Sequence, residues 1–166
     1  TVNAGRTTDL DAAPFPDYAR VAARNLNYCA TWPFSDHRPV GVLNSSRGCP
    51  HECAFCGARE VTGRQWRGQS PERAVNDMEE LRRVTGARAV YFREDNFACD
   101  KRRVRDLCAE ARRRGLLLPW ACELRADAAA DEELVADMAS AGCRGFYIGF
   151  ESGSQRMLDL FRKKIT

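Results

Sequence analysis

The feature that most restricts the fold of this chain is a fourfold alternation of short apolar runs with capped amphipathic stretches. Val40-Gly-Val-Leu-Asn44 is an apolar run closed by Ser45-Ser46-Arg47-Gly48, the pattern of a buried strand. Ser70-Pro71-Glu72 then supplies an N-cap, a proline at the first helical position and an acid in the first turn. Val75, Met78, Leu81 and Val84 follow at near-helical spacing, and Gly86 stops the helix. A second strand is expected over Arg88–Asp95, then a helix capped by Asp100, with Val104, Leu107, Cys108 and Ala111 facing inward and Gly115 at its end. A third strand lies within Leu116–Asp127, where Trp120, Cys122 and Leu124 alternate with Ala121, Glu123 and Arg125 to give one apolar and one charged face. Asp131 caps the next helix, which carries Leu134, Val135 and Met138 and ends at Gly142. A fourth strand, Gly145–Phe150, runs through Glu151-Ser-Gly-Ser154 into a last helix with Met157, Leu158 and Phe161.

Four strand-then-helix units in a row imply an α/β fold: a parallel sheet with right-handed crossovers, helices outside and functional groups at the C-terminal ends of the strands. The unusual residues fall at those ends. Cys49, Cys53 and Cys56 follow the first strand, Glu94, Asp95 and Asn96 end the second, Glu123, Arg125 and Asp127 lie on the third, and Glu151 ends the fourth. Charges on the face of an all-parallel sheet are costly to bury without a ligand or ion pair, so a polar site inside a curved sheet is expected.

A length of 166 residues suits one domain with a real core. Residues 1–38 are rich in turn formers and read as a linker, in which only Tyr18 to Leu26 has the makings of a short helix. Phe15, Tyr18, Trp32 and Phe34 are expected to pack on the domain of residues 39–166. The chain opens on Thr1 and reads as a piece of a longer protein. No apolar run approaches the roughly 18 residues of a membrane span. The net charge of +3 is spread over helical faces, with Arg112-Arg113-Arg114 the densest run, so no nucleic-acid partner is expected. Among eight cysteines three are clustered and no signal peptide precedes them, which favours metal binding in a reducing compartment, the cytoplasm, over a disulfide framework. Cys29 fits no pattern, and Cys108 belongs to a core-facing stripe.

The loop Cys49-Pro-His-Glu-Cys53-Ala-Phe-Cys56 can point three sulfurs at one place. Structural zinc sites and ordinary ferredoxin clusters are filled by four protein ligands, so three thiols leave one metal position open. Zinc is the alternative, with Cys53 and Cys56 as a CxxC pair and His51 as a nitrogen donor, but the second pair typical of such sites is missing from the sequence. A thioredoxin-like dithiol would need the CxxC at a helix start without the third cysteine. A three-cysteine 4Fe-4S cluster with one ligandable iron suits the spacing best.

Placed after a strand and ahead of an α/β series, this loop resembles the signature of the radical S-adenosylmethionine (radical SAM) enzymes, and the resemblance extends from about Pro39 to the end of the chain. It implies a partial TIM-like (β/α)6 barrel, of which about four βα units are present. It also implies a 4Fe-4S cluster held by Cys49, Cys53 and Cys56, whose fourth iron takes the amino and carboxylate groups of S-adenosylmethionine. Reductive cleavage of the C5′–S bond would then yield a 5′-deoxyadenosyl radical that abstracts hydrogen from substrate. On the same resemblance Phe55 lies beside the adenine, and Glu94-Asp95-Asn96, which lacks the common Gly-Gly-Glu form, meets the methionyl amino group. Arg125 partners the methionyl carboxylate and Glu151 the ribose hydroxyls. A structural ion pair is the competing role for each of the charged residues.

More narrowly, Asp95-Asn96-Phe97, Arg125-Ala-Asp127 and Ile148-Gly-Phe-Glu151-Ser-Gly-Ser154-Gln resemble the branch that carries an upstream cobalamin-binding domain, and Leu10-Asp-Ala-Ala-Pro14-Phe-Pro16 resembles its linker. That branch implies cobalamin bound mainly outside this chain, and methylation of unactivated carbon or phosphorus, cyclisation or rearrangement. The implied partners are a small-molecule or biosynthetic-intermediate substrate and an electron donor such as flavodoxin or ferredoxin. Within the family, a methylthiotransferase-like or other enzyme without cobalamin is the alternative; outside it, an iron–sulfur electron-transfer module or a zinc-binding interaction module without catalysis. The last strand is expected to expose an unpaired edge.

Overall fold

The computed structural model describes residues 7–20 and 36–166. Strand β1 (Val40–Leu43) leads into a two-residue strand β2 (Ser46–Arg47). The cysteine loop and a single helical turn, α1 (Ala58–Val61), follow, and the chain returns as β3 (Arg67–Gly68), antiparallel to β2. Helix α2 (Pro71–Thr85), strand β4 (Ala89–Phe92), helix α3 (Lys101–Arg113) and strand β5 (Trp120–Arg125) come next. A short α4 (Ala126–Ala129), then α5 (Glu132–Ser140), β6 (Cys143–Gly149) and α6 (Gln155–Leu160) complete the series.

The main sheet has the order β1-β4-β5-β6, and every pairing in it is parallel. Consecutive large strands are therefore neighbours, as short helical crossovers demand. β6 stands at one end of this order, so the unpaired edge expected of the last strand is present among the described residues.

The three long helices start where their caps place them. Ser70 Oγ accepts from the Arg73 amide at 3.1 Å, Asp100 Oδ1 from Arg103 at 3.0 Å and Asp131 Oδ1 from Leu134 at 3.0 Å, each satisfying an amide that the helix itself leaves open. At the end of α5, Gly142 turns at φ +98° so close to the Leu118 carbonyl that a Cβ would lie 2.6 Å from its oxygen. Only glycine fits that turn into β6.

The outer face of the sheet is the core. Val90, Phe92, Trp120, Cys122 and Leu124 pack against Val75, Met78 and Leu81 of α2, Val104 and Leu107 of α3, and Leu134 and Met138 of α5. Phe97, just past β4, folds back among them: its ring centroid is 5.0 Å from Phe92 and 5.5 Å from Trp120. Cys108 is buried in the same cluster, and burial pushes its thiol up to about 12. The inner face is apolar only at its lower end, where Val40, Ala89, Tyr91 and Ala121 form a small cluster. Polar residues begin one layer higher, at Glu123.

Several elements differ from expectation. The second strand is shorter than Arg88–Asp95, because at Arg93 the chain leaves the ladder and its side chain is exposed. The fourth begins two residues early, at Cys143, since the register shift between Trp120 and Ala121 carries β6 down alongside Trp120. Val135 is only partly covered, and from α6 Leu158 alone is buried while Met157 and Leu160 face outward. A helix of one and a half turns presents a single position to the sheet.

Of the linker, Phe15 and Tyr18 pack on the core as expected, and the Tyr18 hydroxyl donates to the Val42 carbonyl at 2.6 Å. Asp11 accepts from the Ser70 amide at 2.9 Å, and Arg73 donates to the Ala13 carbonyl at 2.8 Å. Tyr18–Arg20 is a 3-10 turn. The rest of the expected helix, together with Cys29, Trp32 and Phe34, lies outside the described residues. Among the described residues no helix is long and apolar enough to cross a membrane.

Candidate functional site

The cysteine loop is closed at its neck by backbone geometry. Gly48 has φ +87°, and a Cβ there would sit 2.3 Å from the Gln65 carbonyl oxygen. The Cys49 amide donates to the Gly63 carbonyl at 3.0 Å, and the Asp95 carboxylate accepts from the Gly48 amide at 3.3 Å and from the Thr62 hydroxyl at 2.5 Å. Farther along, the Cys56 amide donates to the Cys53 carbonyl at 3.1 Å, and the Ala58 amide points at Cys56 Sγ from 3.4 Å.

Cys49 and Cys53 are partly buried, Cys56 is exposed, and all three are free thiols. Burial pushes the Cys49 thiol above its ordinary value, and the nearby Cys56 and Cys53 add to the effect. The three line a common cavity of about 350 Å³ at the C-terminal ends of the strands, and they also line a second cavity of about 420 Å³ together with Glu52, Arg59 and Arg162. Among the described residues no three His, Cys, Asp or Glu side chains form a ready-made metal cage. The sulfurs share one cavity without yet converging on a single atom. The donors that line it are three soft thiols, the His51 imidazole and the carboxylates of Asp95, Glu123 and Glu151, with no second cysteine pair; the three thiols fit an iron–sulfur cluster with one iron left for another ligand, and His51 is the nitrogen that a zinc site would add to them.

The acidic stretch after β4 divides three ways. Glu94, 4% exposed, accepts from the Ser45 amide at 2.5 Å, from Ser45 Oγ at 2.7 Å and from Ser46 Oγ. It ties the end of β1 to the end of β4 and does not line the cysteine cavity. Asn96 is 3% exposed, also lies off the cavity, and its Oδ1 has no hydrogen-bond partner among the described residues. Asp95 alone of the three lines the cavity.

From β5, Arg125 reaches the cavity almost fully buried. Its guanidinium donates to Asp127 at 3.1 Å and to the Lys163 and Lys164 carbonyls at 3.0 and 3.3 Å. Burial, and after it the Arg125 charge, hold His51 below its ordinary value, so the imidazole beside the cysteines is neutral near pH 7. One layer down, the Tyr91 hydroxyl donates to Glu123 at 2.6 Å, and the Tyr91 and Tyr147 rings meet edge to face at 5.9 Å. Burial, then this bond to Glu123, raises the Tyr91 phenol far above its ordinary value, so it remains a proton donor.

Glu151, at φ +61°, lines the far side of the same cavity and accepts from Lys163 Nζ at 2.8 Å. Phe55 is 51% exposed and touches Phe161 edge to face, with ring centroids 5.6 Å apart. The Ala54 amide donates to the Phe161 carbonyl at 2.8 Å, so the segment after α6 folds back onto the cysteine loop.

The structure thus gathers Cys49, Cys53, Cys56, Phe55, Asp95, Arg125 and Glu151 around one cavity and leaves Glu94 and Asn96 outside it. Glu123, expected on the charged face of the third strand, lines the cavity as well; sequence reasoning missed Lys163 and Tyr147 as lining residues. For Lys163 there was no signal, since it lies in irregular chain beyond α6.

Residues 43–166 match the profile of the Radical SAM superfamily. The chain is 31% identical over 158 residues to an uncharacterized methyltransferase of Pyrococcus horikoshii, a match that takes in 95% of this chain and 33% of that protein. It is also 31% identical over 159 residues to the cytidylyl-2-hydroxyethylphosphonate methyltransferase of Streptomyces wedmorensis, covering 94% of this chain and 29% of that one. Among solved structures it resembles the cobalamin-dependent S-adenosylmethionine radical enzyme OxsB, with aqua-cobalamin and S-adenosylmethionine bound. The TM-score is 0.64 at 25% identity, over 75% of this chain and 20% of that one. The chain therefore spans about a third or less of the length of these relatives. With the family profile matched from the end of β1 to the last residue and the parallel βα series in place, this chain belongs to the radical SAM superfamily.

Proposed function

We propose that this chain is the cluster- and S-adenosylmethionine-binding part of a cobalamin-dependent radical methyltransferase. The observation that carries the reading is the convergence of three thiols, two aromatic rings, three acids and the cations of Arg125 and Lys163 on one cavity at the strands' C-terminal ends. Cys49, Cys53 and Cys56 would hold three irons of a 4Fe-4S cluster, which would supply one electron for reductive cleavage of the C5′–S bond of S-adenosylmethionine.

The chain's own residues position that ligand. Buried Arg125 supplies a fixed positive charge for the methionyl carboxylate, Asp95 an acceptor for the amino group, Phe55 an apolar face for the adenine and Glu151 an acceptor for ribose hydroxyls. Methyl transfer and cobalamin use are supported by what the relatives are, two methyltransferases and one cobalamin-dependent radical enzyme. Cobalamin would be held mainly by another part of the full protein, the substrate would be a small molecule or biosynthetic intermediate, and flavodoxin or ferredoxin would supply electrons. A cluster with an exposed ligand, Cys56, belongs in a reducing compartment such as the cytoplasm.

The test is anaerobic reconstitution of the full-length protein with iron and sulfide, followed by a reductant and S-adenosylmethionine. Brown absorbance, about four irons per chain and 5′-deoxyadenosine are expected, all lost in Cys49→Ala, Cys53→Ala and Cys56→Ala. Iron and absorbance unchanged in these variants would refute the site. A cluster without reductive cleavage would select an electron-transfer module, and zinc without sulfide a zinc-binding interaction module.

A further inference from the structure

We propose that Asp95 and Thr62 form a brace that fixes the cysteine loop against the sheet, so that Asp95 is a positioning residue for the cluster. The inference rests on the functional reading above, and it assigns the acidic stretch after β4 a task within that site.

The neck of the loop is the place where its shape is decided. Gly48 immediately precedes Cys49, and Thr62 closes α1 just beyond Cys56. One carboxylate oxygen of Asp95 accepts from both, from the Gly48 amide at 3.3 Å and the Thr62 hydroxyl at 2.5 Å. Thr62 has a single hydroxyl proton and two acceptors within reach. The shorter, charge-assisted contact to Asp95 takes it in preference to the Ala58 carbonyl at 2.9 Å.

The other end of the brace is rigid. The Arg93 amide is bonded to the Leu43 carbonyl at 3.0 Å, and both oxygens of the adjacent Glu94 are held by Ser45 and Ser46. Asp95 therefore projects from a fixed strand end, between β1 and β4, onto a loop that otherwise meets the sheet through its own ends. At the tip, the loop's backbone contact is with the segment after α6, through Ala54 and Phe161. Removing the brace leaves the ligand-bearing segment between the short β2–β3 ladder and the segment after α6. Three thiols must hold their spacing to bind a cluster, so a looser neck lowers cluster retention and broadens its environment.

The test uses the full-length protein as wild type, Asp95→Ala, Thr62→Val and Thr62→Ser. In the cluster-free protein, amide hydrogen exchange across residues 48–63 is expected to speed up about three- to tenfold in Thr62→Val, which loses one charge-assisted hydrogen bond at an exposed site, and at least as much in Asp95→Ala, which also frees the Gly48 amide. After anaerobic reconstitution, iron release to a chelator should rise by a similar factor and the electron paramagnetic resonance signal of the reduced cluster should broaden. Thr62→Ser, which keeps the hydroxyl, should match wild type in all three. Unchanged exchange in both Asp95→Ala and Thr62→Val overturns the brace, as does Thr62→Ser behaving like Thr62→Val. So does a pattern in which Thr62→Val matches wild type in exchange and iron release while Asp95→Ala alone is altered, because that marks Asp95 as a ligand-binding group only. If wild type takes up no cluster, the functional reading fails and the exchange measurement still decides the brace.

Discussion

Lys163 Nζ stands 2.8 Å from Glu151 Oε1 and 5.7 Å from the centre of the Phe55 ring, in a side chain that is only 7% exposed. An ammonium withdrawn this far from water needs its partner more than the partner needs it, since the Glu151 side chain is 32% exposed and can be hydrated. The pair closes the end of the cysteine cavity and holds the segment after α6 over the loop.

That asymmetry predicts unequal effects of the two substitutions. Glu151→Gln, which strands the buried ammonium, should cost about 1–3 kcal/mol, whereas Lys163→Met, which leaves a hydratable carboxylate and keeps the packing on Phe55, should cost under about 1 kcal/mol. Urea midpoints of the two variants check this. Equal losses would mean that the pair behaves as an exposed surface contact.

Glu94 is the residue whose loss should damage the fold without touching the cavity. Glu94→Ala leaves the Ser45 amide and two serine hydroxyls without their acceptor in a buried setting, and it removes the countercharge near Arg103, which donates to the Ser45 carbonyl at 3.1 Å. A destabilisation of about 2–4 kcal/mol is expected by denaturant titration. A change below about 1 kcal/mol would show that the network relaxes onto water.

Phe97 should behave as a core residue although it sits in irregular chain between β4 and α3. Its ring is fully buried between Phe92 and Trp120. Phe97→Ala should cost about 3–5 kcal/mol, the range for emptying a buried aromatic site, read as a shift in the unfolding midpoint. A loop-like cost under about 1 kcal/mol would contradict that packing.

What was legible in the sequence was what is local. The caps Ser70, Asp100 and Asp131 act on amides three residues ahead, so the sequence places them where the structure has them. The cysteine loop is equally local, with three thiols on one short stretch of backbone. The acidic stretch was legible as a location but not in its division of labour. At the end of a strand the two-residue alternation stops, and Glu94, Asp95 and Asn96 turn to Ser45, to Thr62 and into the protein respectively. Lys163 was illegible because its site is made by three distant partners, Glu151, Phe55 and the Arg125 guanidinium that grips its carbonyl. Phe97 was hidden for a similar reason: its burial comes from the way the chain folds back after β4, which no periodicity records.

The last prediction concerns acid stability and the outer surface of α3. Hydrogen bonds from Arg113 at 2.7 Å and Arg114 at 2.6 Å hold the Glu110 carboxyl down to about 2. A carboxyl whose folded value lies below its unfolded one, roughly 4.3, binds fewer protons in the folded state. Its contribution is then complete above the unfolded value and is lost as the pH falls towards the folded one. The stability difference between wild type and Glu110→Gln should accordingly be constant above about pH 5, shrink between about pH 4.5 and about pH 2, and be absent below. Asp131, lowered first by the Leu134 amide and next by Lys101, titrates in the same direction in both proteins and cancels from the difference. Paired denaturant titrations over that range measure it, and a difference that is flat from pH 5 to pH 2 would mean that the arginines give the carboxylate no preference over its acid form.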